Sequence, residues 1–122
     1  MNLDIQTRGF PMTDALAMAV RQEAEGFQDA FPGLPLRLKV RLFDVNGTRG
    51  GLDKGCLIHA HAGRGAAVVV ASELDDDLYR AIAAAFERLA RATRSRLERR
   101  HTLRRASPAA LRPIAASTQA TG

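Results

Sequence analysis

The sequence predicts a two-layer α+β domain in which a four-stranded sheet carries two helices on one face. Three observations predict this fold: short segments that alternate apolar and polar residues, two longer segments with apolar residues at helical spacing, and glycine-rich breaks between the segments. In chain order the segments give a β-α-β-β-β-α succession. Packing both helices against one face of the sheet is the simplest way to bury all of the apolar stripes.

The first strand and the first helix are predicted within residues 1–33. Residues 3–7, Leu-Asp-Ile-Gln-Thr, alternate as a half-buried strand does. Thr13 is placed to cap a helix over about 13–30, which Pro32-Gly33 ends. The apolar residues predicted for its buried side are Leu16, Val20, Phe27 and Phe31.

Three closely linked strands are predicted next, as a meander over residues 36–71. Along 36–42 the apolar residues point to one side, and Arg37, Lys39 and Arg41 point to the other. After a glycine-rich connection over 44–55, a strand over 56–61 places Cys56, Ile58 and Ala60 on one face and Leu57, His59 and His61 on the opposite face. A tight turn at 62–65 leads to a third strand over 66–71.

The last helix is predicted to begin at Ser72 or at one of the three residues Asp75 to Asp77, because carboxylates favour the positive end of the helix dipole. Its buried stripe is predicted to be Leu78, Ile82, Ala85, Phe86, Leu89 and Thr93. Beyond it, Arg96 and Arg100 occupy the angles that Leu78 and Ile82 hold earlier, and arginines are not buried without partners. We therefore expect a domain over 1–105 whose basic end, 94–105, projects past the sheet. A disordered tail is expected over 106–122.

Positive charge is concentrated at the end of the sequence. Residues 1–87 carry 9 Lys/Arg and 12 Asp/Glu, a net charge of −3, whereas residues 88–122 carry 9 Arg and the single Glu98, a net charge of +8. Arginine binds phosphate in a bidentate manner and stacks on bases, so RNA is the expected partner. The aromatic residues of an RNA-recognition sheet are missing, which favours recognition of shape and phosphates over base reading. A solvated surface is the alternative for both the basic helix and the row Arg37, Lys39, Arg41.

The sequence carries no catalytic motif: it has no G-x-S-x-G, no P-loop, no G-x-G-x-x-G and no paired cysteines. His59 and His61 share a strand face, but surface histidines explain them better than a metal site does. Cys56, the single cysteine, is expected to be a small buried residue. We expect no enzyme activity, no cofactor, no metal and no small-molecule substrate. No apolar run approaches the roughly 20 residues that cross a bilayer, and no signal peptide is present, so cytoplasmic localisation is expected.

Several segments carry a family resemblance. The loop 44–47 (Asp-Val-Asn-Gly), the strand entry 53–56 (Asp-Lys-Gly-Cys), the helix start 77–82 (Asp-Leu-Tyr-Arg-Ala-Ile) and the segment 87–91 resemble the ribosome hibernation promoting factor family, also called ribosome-associated translation inhibitors. The resemblance covers about residues 1–100. It implies a fold similar to double-stranded RNA-binding domains. It also implies a factor that binds rRNA at the decoding region of the small ribosomal subunit and excludes mRNA and tRNA under stress or in stationary phase.

The resemblance assigns rRNA contacts to the basic residues of the last helix and indicates the short form of the family, expected as a monomer. Together with the charge pattern, it gives the predicted RNA-binding set: Arg80, Arg88, Arg91, Arg94, Arg96, Arg99, Arg100, Arg37, Lys39 and Arg41.

Two departures from the family pattern are Ala83, where the family often has Asp, and an acidic first helix, in which only Arg21 opposes four carboxylates. The alternative function is a protein-binding adaptor that modulates a sigma factor through the basic helix. A remote third option is a metal-dependent enzyme that uses His59 and His61.

Overall fold

The structure, a computed structural model, describes residues 1–45, 53–62 and 68–105. Its elements are β1 (Asn2–Arg8), α1 (Asp14–Ala30), β2 (Leu36–Asp44), β3 (Lys54–Ala62), β4 (Val68–Asp75) and α2 (Leu78–Arg105). The predicted element order is confirmed. The chain divides into two compact units, Met1–Ala92 and Thr93–Gly122, and α2 contributes residues to each.

The boundary at residue 105, the projection of 94–105 and the likeness to double-stranded RNA-binding domains stay predictions. The predicted tail, 106–122, lies outside the described residues, as do most of the glycine-rich connection and the turn before β4. No helix within the described ranges is both long and apolar enough to cross a membrane.

The four strands form one mixed sheet in the order β1-β2-β3-β4. The pair β1–β2 is parallel, because the chain returns through α1 between these strands, whereas β2–β3 and β3–β4 are antiparallel. The predicted meander of three strands is therefore confirmed.

The core lies on one face of the sheet. Along β2 and β3 every second residue is buried, as at Leu38, Val40 and Ile58, while the residues between them face the other side. Both helices bury their apolar stripes in the first unit, and the rings of Phe27 and Phe86 meet edge to face with centroids 6.4 Å apart. The opposite face of the sheet is open, as predicted.

The ends of α1 follow from its flanking residues. Thr13 Oγ1 accepts a hydrogen bond from the Leu16 N–H at 3.1 Å, which satisfies one of the unpaired donors of the first turn. The helix ends at Phe31, whose N–H donates to the Gln28 carbonyl at 3.1 Å. Gly33 then adopts a φ of +80°, a conformation that other residues rarely take. The prediction for this helix is confirmed at both ends.

The predicted end of β4 and one member of the predicted α2 stripe need correction. β4 continues four residues past its predicted end, held by its ladder with β3, so Ser72 is excluded as the helix start and the aspartate alternative is confirmed. Asp77 is the residue that caps α2: its Oδ1 accepts from the Tyr79 N–H at 2.9 Å. Leu78 is half-buried rather than buried, whereas Ala81 belongs to the core and was missed because of its small size. The rest of the predicted stripe is buried.

An ionic cluster closes the base of the β2–β3 connection. Lys54 Nζ donates to Asp44 Oδ2 at 3.0 Å and to Asp53 Oδ2 at 3.1 Å. These two hydrogen bonds, that to Asp44 foremost, raise the pKa of Lys54 above its usual value. Asp53 is only 1% exposed, and its carbonyl accepts from the Val45 N–H at 2.8 Å. Lys54 therefore compensates a carboxylate that would be costly to bury alone.

Replacing Lys54 by Ala should destabilise the fold, because it leaves the buried Asp53 carboxylate without its cation. The midpoint of urea unfolding of K54A should fall, whereas the matched variant K39A, on an exposed position of the neighbouring strand, should leave it unchanged. Equal midpoints for the two variants would contradict this account of the cluster.

Cys56 should resist thiol reagents in the native protein. Its side chain is fully buried, and burial raises the pKa of its thiol to about 12, so almost no thiolate is present at neutral pH. We expect a thiol-reactive chromogen to label the folded protein slowly and the urea-unfolded protein at once. Rapid labelling of the folded protein would show that this part of the core opens easily.

Candidate nucleic-acid interface

Three of the arginines predicted to contact RNA are paired with carboxylates in the first unit. Arg80 Nε lies 3.1 Å from Asp75 Oδ1, and its Nη2 lies 2.6 Å from Asp76 Oδ1. Arg88 binds Glu73 of β4, and Arg91 binds Glu87 one helical turn earlier at 3.1 Å. The three guanidinium groups face solvent, as predicted for residues off the buried stripe.

These ion pairs differ in how much of each arginine's positive charge remains available to bind a polyanion. Arg80 sits among three aspartates at the start of α2, so the charge there is net negative. The Asp77 N–H and the neighbouring side chains lower the pKa of Asp75, which keeps this carboxylate ionised. Arg88 and Arg91 each face one carboxylate in an exposed, solvent-screened pair, which a phosphate can replace at little cost. Arg80 therefore stabilises the start of α2 and has the least charge left to bind a phosphate.

The remaining predicted arginines of α2 belong to the second unit. Arg94 and Arg99 are exposed, and Arg96 is half-buried. Arg100 lies in the same helix. Residues three or four apart are neighbours on a helix, so Arg88 and Arg91 of the first unit follow one another along its surface. This spacing suits a run of successive phosphates, which are read as charge and position rather than as sequence.

A second basic surface lies on the open face of the sheet. Arg37, Lys39 and Arg41 alternate with the buried residues of β2, and all three are exposed. Within the part of the chain that the structure describes, none of the three makes a salt bridge. This row, called the β2 row below, therefore presents its charge without a competing ion pair.

The strands beside the β2 row supply polar neighbours. In register, Asp4 and His59 lie on either side of Lys39, and Gln6 and Leu57 lie on either side of Arg41. These six side chains line a depression of about 120 Å³ on the sheet face. The sequence indicated which residues face outward, but only the pairing of the strands shows which of them become neighbours.

The two histidines considered as metal ligands lie on this same face, His59 exposed and His61 half-buried. Across the described residues, the structure shows no group of three or more metal-binding side chains. His59 and His61 instead pair in register with Lys39 and Arg37, whose positive charges disfavour a bound cation.

The side of the first unit formed by α1 and the start of α2 is not basic. Ala83 is exposed there, in a depression of about 380 Å³ that Glu23, Gly26, Phe27 and Glu87 help to line. The acidic character expected for α1 is thus displayed on a surface, and phosphate binding on that side is unfavourable.

Comparison with known proteins gives a family match. A family described as sigma 54 modulation protein / S30EA ribosomal protein matches residues 3–101. The crystal structure of the N-terminal domain of Protein Y from Thermus thermophilus is 27% identical, with a TM-score of 0.62 over 74% of this chain and 92% of that chain. A ribosomal subunit interface protein from Coxiella burnetii is 13% identical and has a TM-score of 0.61, over 80% of this chain and 99% of that one, a likeness of fold alone. No curated protein matches the sequence.

The ion pairs predict that replacing single cations by glutamine will weaken RNA binding to different degrees. K39Q should weaken binding to a fluorescent single-stranded poly(U) probe and lower the salt slope by about one phosphate. R80Q should leave both nearly unchanged, because its charge is already matched by Asp75 and Asp76. Fluorescence anisotropy at several salt concentrations measures both effects, and a larger reduction for R80Q than for K39Q would contradict the ranking.

Proposed function

Because the chain belongs to the sigma 54 modulation protein / S30EA ribosomal protein family, we propose that it is a ribosome-associated factor that silences the small ribosomal subunit. The observation that carries the proposal is the extent of the family match, residues 3–101. It covers the folded first unit and runs on through the basic part of α2 to Arg100. The structural likeness to a protein named as a ribosomal subunit interface protein agrees with this proposal at the level of fold.

Two basic surfaces would hold the subunit. The arginines of α2 from Arg88 onward would contact rRNA phosphates, and the β2 row would contact a second segment of rRNA. Arg80 would contribute least, since it is held by two carboxylates. Arginine suits this task because its planar guanidinium binds phosphate oxygens in pairs.

Bound at the decoding region, the protein would exclude mRNA and tRNA by occupying their place. This mechanism needs no chemical step, no cofactor and no metal, only affinity and shape. We expect it to operate in the cytoplasm, with one copy per subunit, under stress or in stationary phase.

The alternative, an adaptor that modulates a sigma factor, is favoured by the other half of the family description. The basic helix would then bind an acidic protein surface. Treatment with RNase separates the two functions, because it would release an RNA-bound protein from its complex and leave a protein-protein complex intact. High salt alone does not separate them, since both interactions are ionic.

Neutralising either basic surface should weaken binding to purified small subunits. R91Q/R94Q/R99Q and R37Q/K39Q/R41Q remove the same charge from α2 and from the β2 row, and glutamine keeps a polar, uncharged side chain at each position. Each cation that no longer neutralises a phosphate should reduce the slope of log K against log salt by about 0.7 to 0.9, so a triple variant should reduce it by about two to three units. Sedimentation of the protein with small subunits at several salt concentrations gives the slopes.

The control is R21Q, which removes an exposed arginine from α1, outside both basic surfaces. It should lower the affinity only slightly. If both triple variants fold, as judged by circular dichroism, and still bind as the wild type does, the proposed interface is wrong.

Inhibition of translation should follow binding. The wild-type protein should suppress synthesis of a reporter in a cell-free extract, and the triple variants should suppress it less, in the order of their reduced affinity. Suppression that persists in variants unable to bind small subunits would favour the adaptor function or another target.

A further inference from the structure

The depression on the open sheet face has the footprint of one nucleobase. Its six side chains form two rows that cross three strands: Asp4, Lys39 and His59 in one row, and Gln6, Arg41 and Leu57 in the other. Neighbouring strands lie about 4.8 Å apart and alternate residues about 6.7 Å apart, so the grid measures about 10 Å by 7 Å. A single planar base fits this area, whereas a stacked run of bases does not.

The chemistry of the depression does not suit a phosphate alone. Lys39 and Arg41 only donate hydrogen bonds, but Asp4 only accepts them, and its charge repels an anion. Gln6 can do both. Leu57 is half-buried and offers an apolar floor, and the exposed imidazole of His59 can stack on a base. A ligand for this site therefore carries donors on one edge, acceptors on another and a negative charge nearby.

We propose that the depression receives one unstacked guanine nucleotide of an RNA strand. Guanine alone among the four bases carries two adjacent donors, N1–H and the 2-amino group, which a carboxylate such as that of Asp4 can accept together. Its O6 and N7 are the acceptors that Arg and Lys bind most often. Arg37, the third cation of the β2 row, would hold the adjoining phosphate.

This inference rests on the RNA binding within the proposed function and adds base recognition by Asp4, Gln6 and His59. Asp4 and Gln6 project from β1 and His59 projects from β3, on either side of β2 in one continuous sheet, so their positions are fixed by the register rather than by a loop. Base reading without the usual aromatic pair is possible here because the discriminating groups are hydrogen-bonding side chains.

The test uses the full chain and labelled single-stranded hexanucleotides of uridine with one central guanosine, adenosine or inosine. By fluorescence anisotropy, the guanosine oligonucleotide should bind about tenfold more tightly than the adenosine one, the scale of a bidentate base contact. Inosine lacks the 2-amino group and should fall between them. In D4N the guanosine oligonucleotide should lose its tenfold advantage, because the amide offers only one acceptor. The adenosine and inosine oligonucleotides should bind as well as to the wild type or better, because the negative charge is gone.

The control variant is D29N, which removes an exposed carboxylate of α1. It should keep the guanosine preference, which separates recognition by Asp4 from a general effect of charge. Thermal unfolding of D4N, expected to match that of the wild type, shows that the site and not the fold was changed.

Equal binding of the guanosine and adenosine oligonucleotides by the wild type, or a preference that survives in D4N, would overturn the inference. So would free 5′-guanosine monophosphate competing as well as the hexanucleotide, since the ligand would then be the mononucleotide and not an RNA strand. If the protein prefers guanosine but does not bind small subunits, only the proposed ribosomal function is wrong. If it binds small subunits but shows no preference for guanosine, only this inference is wrong.

Discussion

The two-residue period of the sheet is the constraint on which the rest of the molecule depends. The helices cover one face, so the alternate residues of the inner strands β2 and β3 must be apolar, and the residues between them are displayed on the other face. A register slip of one residue would move Leu38 and Val40 to solvent and bury charged neighbours. The same strand register therefore determines both which residues form the hydrophobic core and which residues form the β2 row.

The arrangement of charge is more selective than the composition suggests. A net charge of +8 over residues 88–122 describes a basic segment, but carboxylates on β4 and α2 already engage the arginines nearest the sheet. Such pairs keep long side chains extended and oriented, and a phosphate can replace the carboxylate where the pair is exposed. The β2 row is smaller and forms no salt bridge among the described side chains, although Asp4 lies beside Lys39 in register. Its backbone is held on both sides by neighbouring strands.

Local sequence signals predicted most of the fold. Thr13, the alternation of β2 and the stripe of α2 act over a few residues, so their outcomes could be read directly from the chain. The end of β4 could not, because Glu73 and Asp75 are poor strand formers that the ladder with β3 overrides. The pairing of Arg80, the burial of Asp53 and the depression beside Lys39 also depend on residues that become neighbours only in the folded state. The candidate site was predicted as a set of cations; its carboxylate, amide and imidazole members required the register.

The order of the strands across the sheet equals their order along the chain. During synthesis each strand can pair with the one made just before it, and only the β1–β2 pair must wait for a helix to form between its members. α1 can cover part of the apolar sheet face early, but the rest stays uncovered until residues 78–92 have left the exit tunnel, so the nascent protein is most prone to aggregate before that point. Up to residue 87 the emerging chain is also net acidic. The net positive charge is therefore added last, as the sheet is being closed.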